Sequence, residues 1–198
     1  MTLSLNGHEY VDLGLSVKWA TMNVGASSPE DYGDYFAWGE TSTKSTYMWS
    51  TYKWRNGSLL TKYNTSSRDG TVDNKTTLEL SDDAARANWG GSWRMPTDAE
   101  LTELREQCTW SWTTQNGVNG YKVTSKKSGY TNNSIFLPAA GCRIDSSLYD
   151  AGSYCYYWSS SLSTDAPSLA WHTYFSSGFV DRIHSARSSG LSVRPVCP

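Results

Sequence analysis

Ten tryptophans and thirteen tyrosines are spread through 198 residues, while leucine, isoleucine and valine are sparse, and this imbalance limits what the chain can fold into. Its core has to be assembled from rings. Each ring buries about 150 to 250 Å², and each buried indole N–H or phenol O–H needs a hydrogen-bond partner. A polar acceptor must therefore stand beside nearly every core side chain.

The pattern along the chain is one of short strands and turns. "YVDLGLSVKWATMNVG" alternates and carries β-branched and aromatic residues, so it reads as one or two strands closed by Gly25. "SSPEDYGDY" starts like a helical turn, with Ser28 as cap and Pro29 in the first helical position, and Gly33 stops it at once. Residues 49–76 are polar and contain N-G and D-G dipeptides, which predicts loop with short hairpins. "LSDDAARANWGG" predicts a short helix capped by Ser81 and ended by Gly90 and Gly91. In "PTDAELTELREQC", Thr97 and Glu100 have capping-box spacing, and Leu101 and Leu104 fall on one face. From Thr109 onward the pattern is strand and turn only. The class expected is α+β, with early helices, an antiparallel-rich mixed sheet and long loops, and the length suits one domain over residues 1–198.

Charge and motifs exclude several functions. Charged residues make up 18% of the chain and the formal net charge is -2, so there is no basic field to hold nucleic acid or an anionic membrane. No apolar run approaches the roughly 20 residues of a membrane span, so direct membrane insertion is not expected. "MTLSLNGHEY" lacks a charged start followed by an apolar stretch, so no export signal is expected in this chain. Nucleotide-cradling glycine loops, a G-x-S-x-G elbow and H-E-x-x-H are absent from the sequence. The acids Glu30, Asp31 and Asp34, and the stretch Asp69 to Asn74, lack the ladder of a calcium loop and read as solvated loop acids. No metal or cofactor is expected. Asp181, His184 and Ser185 can be named as a hydrolase set, but proximity in a serine-rich tail says little without geometry. Cys108, Cys142, Cys155 and Cys197 contain no C-x-x-C pair and read either as buried thiols or as one disulfide between Cys108 and Cys197.

"DYFAWGE" (Asp34 to Glu40), "WRMPTDAEL" (Trp93 to Leu101) and "SVRPV" (Ser192 to Val196) stand in the order and rough spacing of motifs in a known fold. The chain resembles the formylglycine-generating-enzyme-like branch of the C-type lectin fold over nearly its whole length. "YVDLGLSVKWAT", "CTWSWTTQNGVNGYKV", "SIFLPAAG" and "YWSSSL" are similar, more closely still, to variable proteins of gut bacteria and phages that are diversified by retroelements. In those proteins, adenines of a template repeat are miscopied and the altered copy replaces the coding stretch for the C-terminal ligand-binding face. AAC codons then become any codon ending in C, and such codons cannot encode Lys, Glu, Gln, Met or Trp. After Lys127 this chain has no Lys, Glu, Gln or Met through Pro198, where average usage would give about a dozen. Trp158 and Trp171 would then have to be framework.

The resemblance implies a scaffold over about residues 1–142 and a variable ligand-binding region over about 143–194. Trp171, Tyr174, Phe175, Val180, Arg182, Arg187, Gly190, Val193 and Arg194 would hold the backbone. The variable, ligand-facing positions would be Ser168, Leu169, His172, Thr173, Ser176, Phe179, Asp181, Ile183, His184, Ser185, Ala186, Ser188, Ser189 and Leu191. It further implies an unidentified protein or glycan partner on a target surface, and an extracellular place on a bacterial cell or a phage particle. The oligomeric state stays open, display on a phage pointing to trimers. Two alternatives differ in class. A fixed cell-surface glycan- or protein-binding module needs no diversification. A formylglycine-type oxidase needs two late thiols as copper ligands, and Cys197 is the only cysteine in the final 40 or so residues, so no catalytic residues are expected.

Overall fold

The computed structural model describes residues 3–198. In chain order its strands and helices are β1 (Leu3–Leu5), β2 (His8–Val11), β3 (Lys18–Ala20), β4 (Arg55–Asn56), β5 (Leu59–Leu60), α1 (Ala84–Trp89), α2 (Asp98–Gln107), β6 (Cys108–Gln115), β7 (Val118–Ser125), β8 (Ser134–Pro138), β9 (Cys142–Ile144), β10 (Ser147–Tyr149), β11 (Tyr154–Leu162), β12 (Leu169–Ser176), β13 (Phe179–Ala186) and β14 (Val196–Cys197). Short 3-10 turns cover Trp49–Thr51 and Leu80–Asp82.

The α+β expectation is corrected: strands take 40% of the chain and helices 11%, so the fold is β-rich. The expected mixed sheet is corrected as well, since the strands pair antiparallel throughout the five sheets. Parallel pairing among the described residues is confined to isolated bridges, such as Tyr157 with Ser192. The helical segments fail for local reasons. Gly33 sits at a φ of 70°, and a Cβ there would meet the Val24 carbonyl at 2.4 Å, so "SSPEDYGDY" turns instead of propagating. Asp83, and not Ser81, caps α1 by accepting from the Arg86 N–H, and Gly90 ends it after six residues at a φ of 66°. Only α2 has its expected form: the capping box of Thr97 and Glu100 closes it, and Leu101 and Leu104 are buried.

The ring core meets its polar obligations. The indole of Trp38 donates to the Ser159 carbonyl at 2.8 Å, and that of Trp158 donates back to the Phe36 carbonyl at 2.8 Å, which locks the "DYFAWGE" turn to β11. Phenol groups of Tyr35, Tyr47 and Tyr52 donate to the carbonyls of Ala140, Tyr35 and Trp38. Trp19 is the exception, its buried indole N–H having no partner among the described residues. Buried residues gather in two clusters. One joins α2 to β6–β8 and to Cys155, Tyr157 and Phe175. The other joins α1, Trp38, Trp93 and Trp158 to Leu191 and Val193. Two buried guanidinium groups tie the C-terminal third to the rest. Arg187 donates to the carbonyls of Lys62, Tyr63 and Pro167 and to the Tyr52 hydroxyl. Arg194 donates to the Ala20 and Phe136 carbonyls and to Asn23. The first sheet, in the order β1-β2-β3-β14, pairs the chain's first strands with its last.

Candidate functional site

The sheet β11-β12-β13 carries most of the expected site residues and ends at a free edge, β13. Its two faces follow from register. Cys155, Phe175 and Val180 stand opposite one another and point into the core, so residues one step away belong to the other, outward face, which is covered at Trp158, Ala170 and His172 and open toward Phe179, Asp181 and Ile183. The core-side face is fixed by ion pairing as well as packing. Arg182 lies 3.3 Å over the Trp171 ring and pairs with Asp98 at the start of α2 at 2.8 Å, while His184 stacks on the same indole at 4.8 Å. His184 also meets the Ser163 hydroxyl at 3.0 Å.

On the outward face the aromatic rings form a cross-strand band. Tyr154 stacks on Tyr174 with centroids 5.5 Å apart, Tyr156 stacks on Tyr174 at 4.9 Å, and Phe179 closes the band against Tyr174 at 5.0 Å. Phe179 and Ile183 are 42% and 45% exposed. Asp181 stands between them on the same face, and Asp150 accepts from the Tyr156 hydroxyl at its margin. The band carries these carboxylates and no lysine or arginine. Burial raises the phenol pKa values of Tyr156 and Tyr174 above their ordinary value, so both stay neutral donors.

The fourteen expected positions divide by register. His172, Ser176, Phe179, Asp181, Ile183 and Ser185 share the outward face, whereas Leu169, Thr173, His184 and Ala186 are on the core-side face. Ser168, Ser188, Ser189 and Leu191 lie in the flanking loops. Phe179, Asp181 and Ile183 are exposed, and Ser168, Leu169, Ser176, His184, Ser185, Ala186 and Ser189 are partly buried. Four positions are corrected: His172, Thr173, Ser188 and Leu191 are buried and face no ligand. Leu191 bridges to Phe36 and packs in the second cluster, and the buried Arg187 draws the neighbouring Ser188 inward. His172 is closed over by Trp158 and bonds to the Ser185 hydroxyl at 2.8 Å, and burial pushes its imidazole down to about 4. Thr173 lies between Tyr157 and Arg182, its hydroxyl without a partner.

Tyr154, Tyr156 and Tyr174 belong to the outward face and are not among the expected site residues. The size of Tyr174 points to the framework, and its direction does not. Alternation from Phe175 is the signal that finds it, since neighbours along a strand point to opposite faces. Asp181 lies on one face and His184 on the other, so the serine, histidine and aspartate of the tail do not assemble. Trp158 is fully buried, as a framework residue should be, and Trp171 is partly buried under Arg182.

Other candidate groups have structural work. Asp73 accepts from the N–H groups of Tyr63, Asn64 and Lys75, Glu30 from Gln115 and Asn116, and Asp31 from Ser27. All four cysteines are buried and free, without the disulfide between Cys108 and Cys197. Those two fall in different clusters. Among the described residues no group of three or more His, Cys, Asp and Glu side chains converges, and no helix is long and apolar enough to cross a membrane.

Beside the band, a cleft of about 290 Å³ opens between Trp112 of β6 and Tyr154 of β11. A second, of about 190 Å³, lies against Ser168, with Trp49, Arg55 and Asp69 in its wall.

Comparison with curated proteins and with solved structures gives no match. The family model of the Lcl C-terminal domain matches residues 31–197, which takes in α1, α2, every strand from β4 onward and the whole outward face. The chain belongs to the Lcl C-terminal domain family.

Proposed function

We propose that this chain is a ligand-binding variable protein of the receptor or adhesin type, in which a retroelement diversifies the C-terminal face carried on a C-type lectin-like scaffold. The observation that carries the reading is compositional: from Ser128 to Pro198 the chain uses no Lys, Glu, Gln or Met, four of the five residues that codons ending in C cannot supply, and the fifth, Trp, stands there only at Trp158 and Trp171, which the reading assigns to the framework. Membership of the Lcl C-terminal domain family is compatible with it. The outward face suits the role. Ser176, Phe179, Asp181 and Ile183 project from strands whose other face is anchored by Phe175, Val180 and Arg182, so the former can change while the latter keep the path of the chain. Phe179, Asp181 and Ile183 are exposed, and substitution at such positions usually shifts stability by within about 0.5 kcal/mol. The energy of any complex would come from Phe179 and Ile183, whose exposed apolar surface can exclude water around Asp181. In this reading the chain binds rather than catalyses, its partner is a protein or glycan on a target surface, and it works outside the cell or on a phage particle.

Sequencing of the genomic neighbourhood tests it. The reading expects a reverse transcriptase gene and a near-copy of the 3' coding end that differs only at template adenines. A neighbourhood with neither would leave a fixed binding module in its place.

A further inference from the structure

We infer that the cleft against Ser168 binds a free amino acid with an apolar side chain, its carboxylate taken by Arg55 and its ammonium by Asp69. Two charges of opposite sign that line one cleft without meeting carry the inference. Trp49, Arg55, Ser58, Leu60, Asp69 and Ser168 enclose about 190 Å³. Among the described residues neither Arg55 nor Asp69 joins an ion pair. The main chain keeps them apart. Leu60 pairs with Arg55 on one side and bridges to Gly70 on the other, so β5 runs between the segment that carries the guanidinium and the one that carries the carboxylate. Two strand spacings separate those backbones by about 10 Å. Asp69 is seated through its backbone, its carbonyl accepting from the Leu60 N–H at 2.6 Å and its N–H donating to the Ser66 carbonyl at 3.1 Å, which leaves the carboxylate to the cleft. Arg55 lies 5.8 Å from the centroid of the Trp49 ring, and Trp49 is held by an edge contact to Tyr52 at 5.3 Å. Behind the cleft, the buried Arg187 gathers the carbonyls of Lys62, Tyr63 and Pro167, which fixes Ser168 beside the end of β5.

Charge decides the class of ligand. A simple anion would be drawn to Arg55 and repelled by Asp69, and a simple cation would meet the reverse, so only a molecule that carries both charges satisfies both walls. Trp49 and Leu60 offer apolar surface to its side chain, and the Ser58 and Ser168 hydroxyls can donate or accept at the rim. The volume is below the roughly 300 to 1,000 Å³ of most ligand clefts, which favours one small molecule over a length of chain. Of the lining residues, Ser168 alone belongs to the expected variable positions, and the others lie before residue 143. The cleft stands at the Leu169 end of β12, away from the turn that joins Ser176 to Phe179. It does not depend on diversification, and the gene neighbourhood can fail its test while the cleft passes.

Titration of the isotope-labelled chain with leucine, methionine and phenylalanine, followed at the Trp49 indole N–H, tests the assignment. At least one of them should shift that signal saturably with a Kd of about 0.1 to 2 mM. The same amino acid as its amide, which lacks the carboxylate, and as its N-acetyl derivative, which lacks the ammonium, should each bind more than tenfold more weakly. Two substitutions should move these preferences in opposite directions. Arg55→Met should bring the amino acid down to the affinity of its amide while the N-acetyl derivative stays disfavoured, and Asp69→Asn should bring it down to the affinity of the N-acetyl derivative while the amide stays disfavoured. Loss of folding cannot produce that crossed pattern. Phe179→Ser should bind as the parent does. Absence of a saturable shift with all three amino acids would overturn the inference, as would parent binding of the amide or the N-acetyl derivative as tight as that of the amino acid, or the same preferences in both charge variants as in the parent.

Discussion

Replacing Arg187 by methionine keeps the buried stem and removes every donor. The guanidinium sits fully buried in a box of rings, with centroids of Trp38, Tyr52 and Tyr63 between 5.0 and 5.8 Å away, and it has no carboxylate partner. Its Nε bonds the Tyr52 hydroxyl at 2.9 Å, Nη1 bonds the Tyr63 and Pro167 carbonyls at 3.0 and 2.9 Å, and Nη2 bonds the Lys62 carbonyl at 2.9 Å. Tyr52 still donates to Trp38 without it, so the loss falls on the three carbonyls. A buried acceptor left unsatisfied costs about 1 to 3 kcal/mol. The variant is spared the desolvation of the guanidinium, several kcal/mol, which offsets part of that loss. Three such carbonyls would cost about 3 to 9 kcal/mol, and with the desolvation relieved the net expected is a loss of about 3 to 5 kcal/mol. At about 2 to 4 °C per kcal/mol for a chain of this size, Tm should fall by about 6 to 20 °C. Arg187→Lys should recover only part, because a point ammonium cannot span acceptors set for a planar fork. Thermal unfolding followed by circular dichroism measures both. A Tm within about 2 °C of the parent for Arg187→Met would refute the claim that this residue ties the C-terminal segment to the 52–63 loop.

Three further outcomes are expected. The imidazole of His172, held near 4 by burial, takes up its proton less readily folded than unfolded, where the value is about 6.5. Stability present above about pH 6.5 should therefore be lost as pH falls toward 4, by up to about 3 kcal/mol, and His172→Gln should flatten that part of the urea-midpoint profile; an equal loss in both proteins would contradict it. Burial pushes the thiols of Cys108 and Cys142 up to about 11 and that of Cys155 to about 12, and raises Cys197. A thiol reagent at pH 8 should count four cysteines only after unfolding, and rapid native labelling or a mass two hydrogens short would count against buried free thiols. Thr97→Ala removes the side-chain oxygen that accepts from the Glu100 N–H and should cost about 1 kcal/mol in denaturant unfolding, a neutral result speaking against the capping box.

The sequence was most legible where chemistry is local. Thr97, Glu100, Leu101 and Leu104 specify α2 by capping and spacing alone, and they do so in the fold. The balance of classes was harder to see, because helix-like stretches such as "SSPEDYGDY" carry good starts and are ended by glycines whose close backbone contacts are set by residues outside the stretch. In the tail, size proved a poor guide to direction. Tyr174 and Phe175 are adjacent and both large, yet one joins the outward band and the other fills the core. Leu191 and Ser188 looked like free loop positions, and long-range partners bury them: Phe36 for the first, and the carbonyls gathered by Arg187 for the second's neighbourhood. The cleft at Trp112 was invisible for a related reason, since it needs β6 and β11 side by side.

The central claim is that β13 and the end of β12 are fixed from one side and open to change on the other. Two libraries test it, both built with codons ending in C: one at Ser176, Phe179, Asp181 and Ile183, the other at His172, Thr173, Ser188 and Leu191, each scored for protease-resistant folded protein. Most members of the first should remain folded and most of the second should not, because emptying or polarising a buried site costs about 2 to 5 kcal/mol where a surface exchange costs a few tenths. Equal survival of the two libraries, or collapse of the first, would contradict the account.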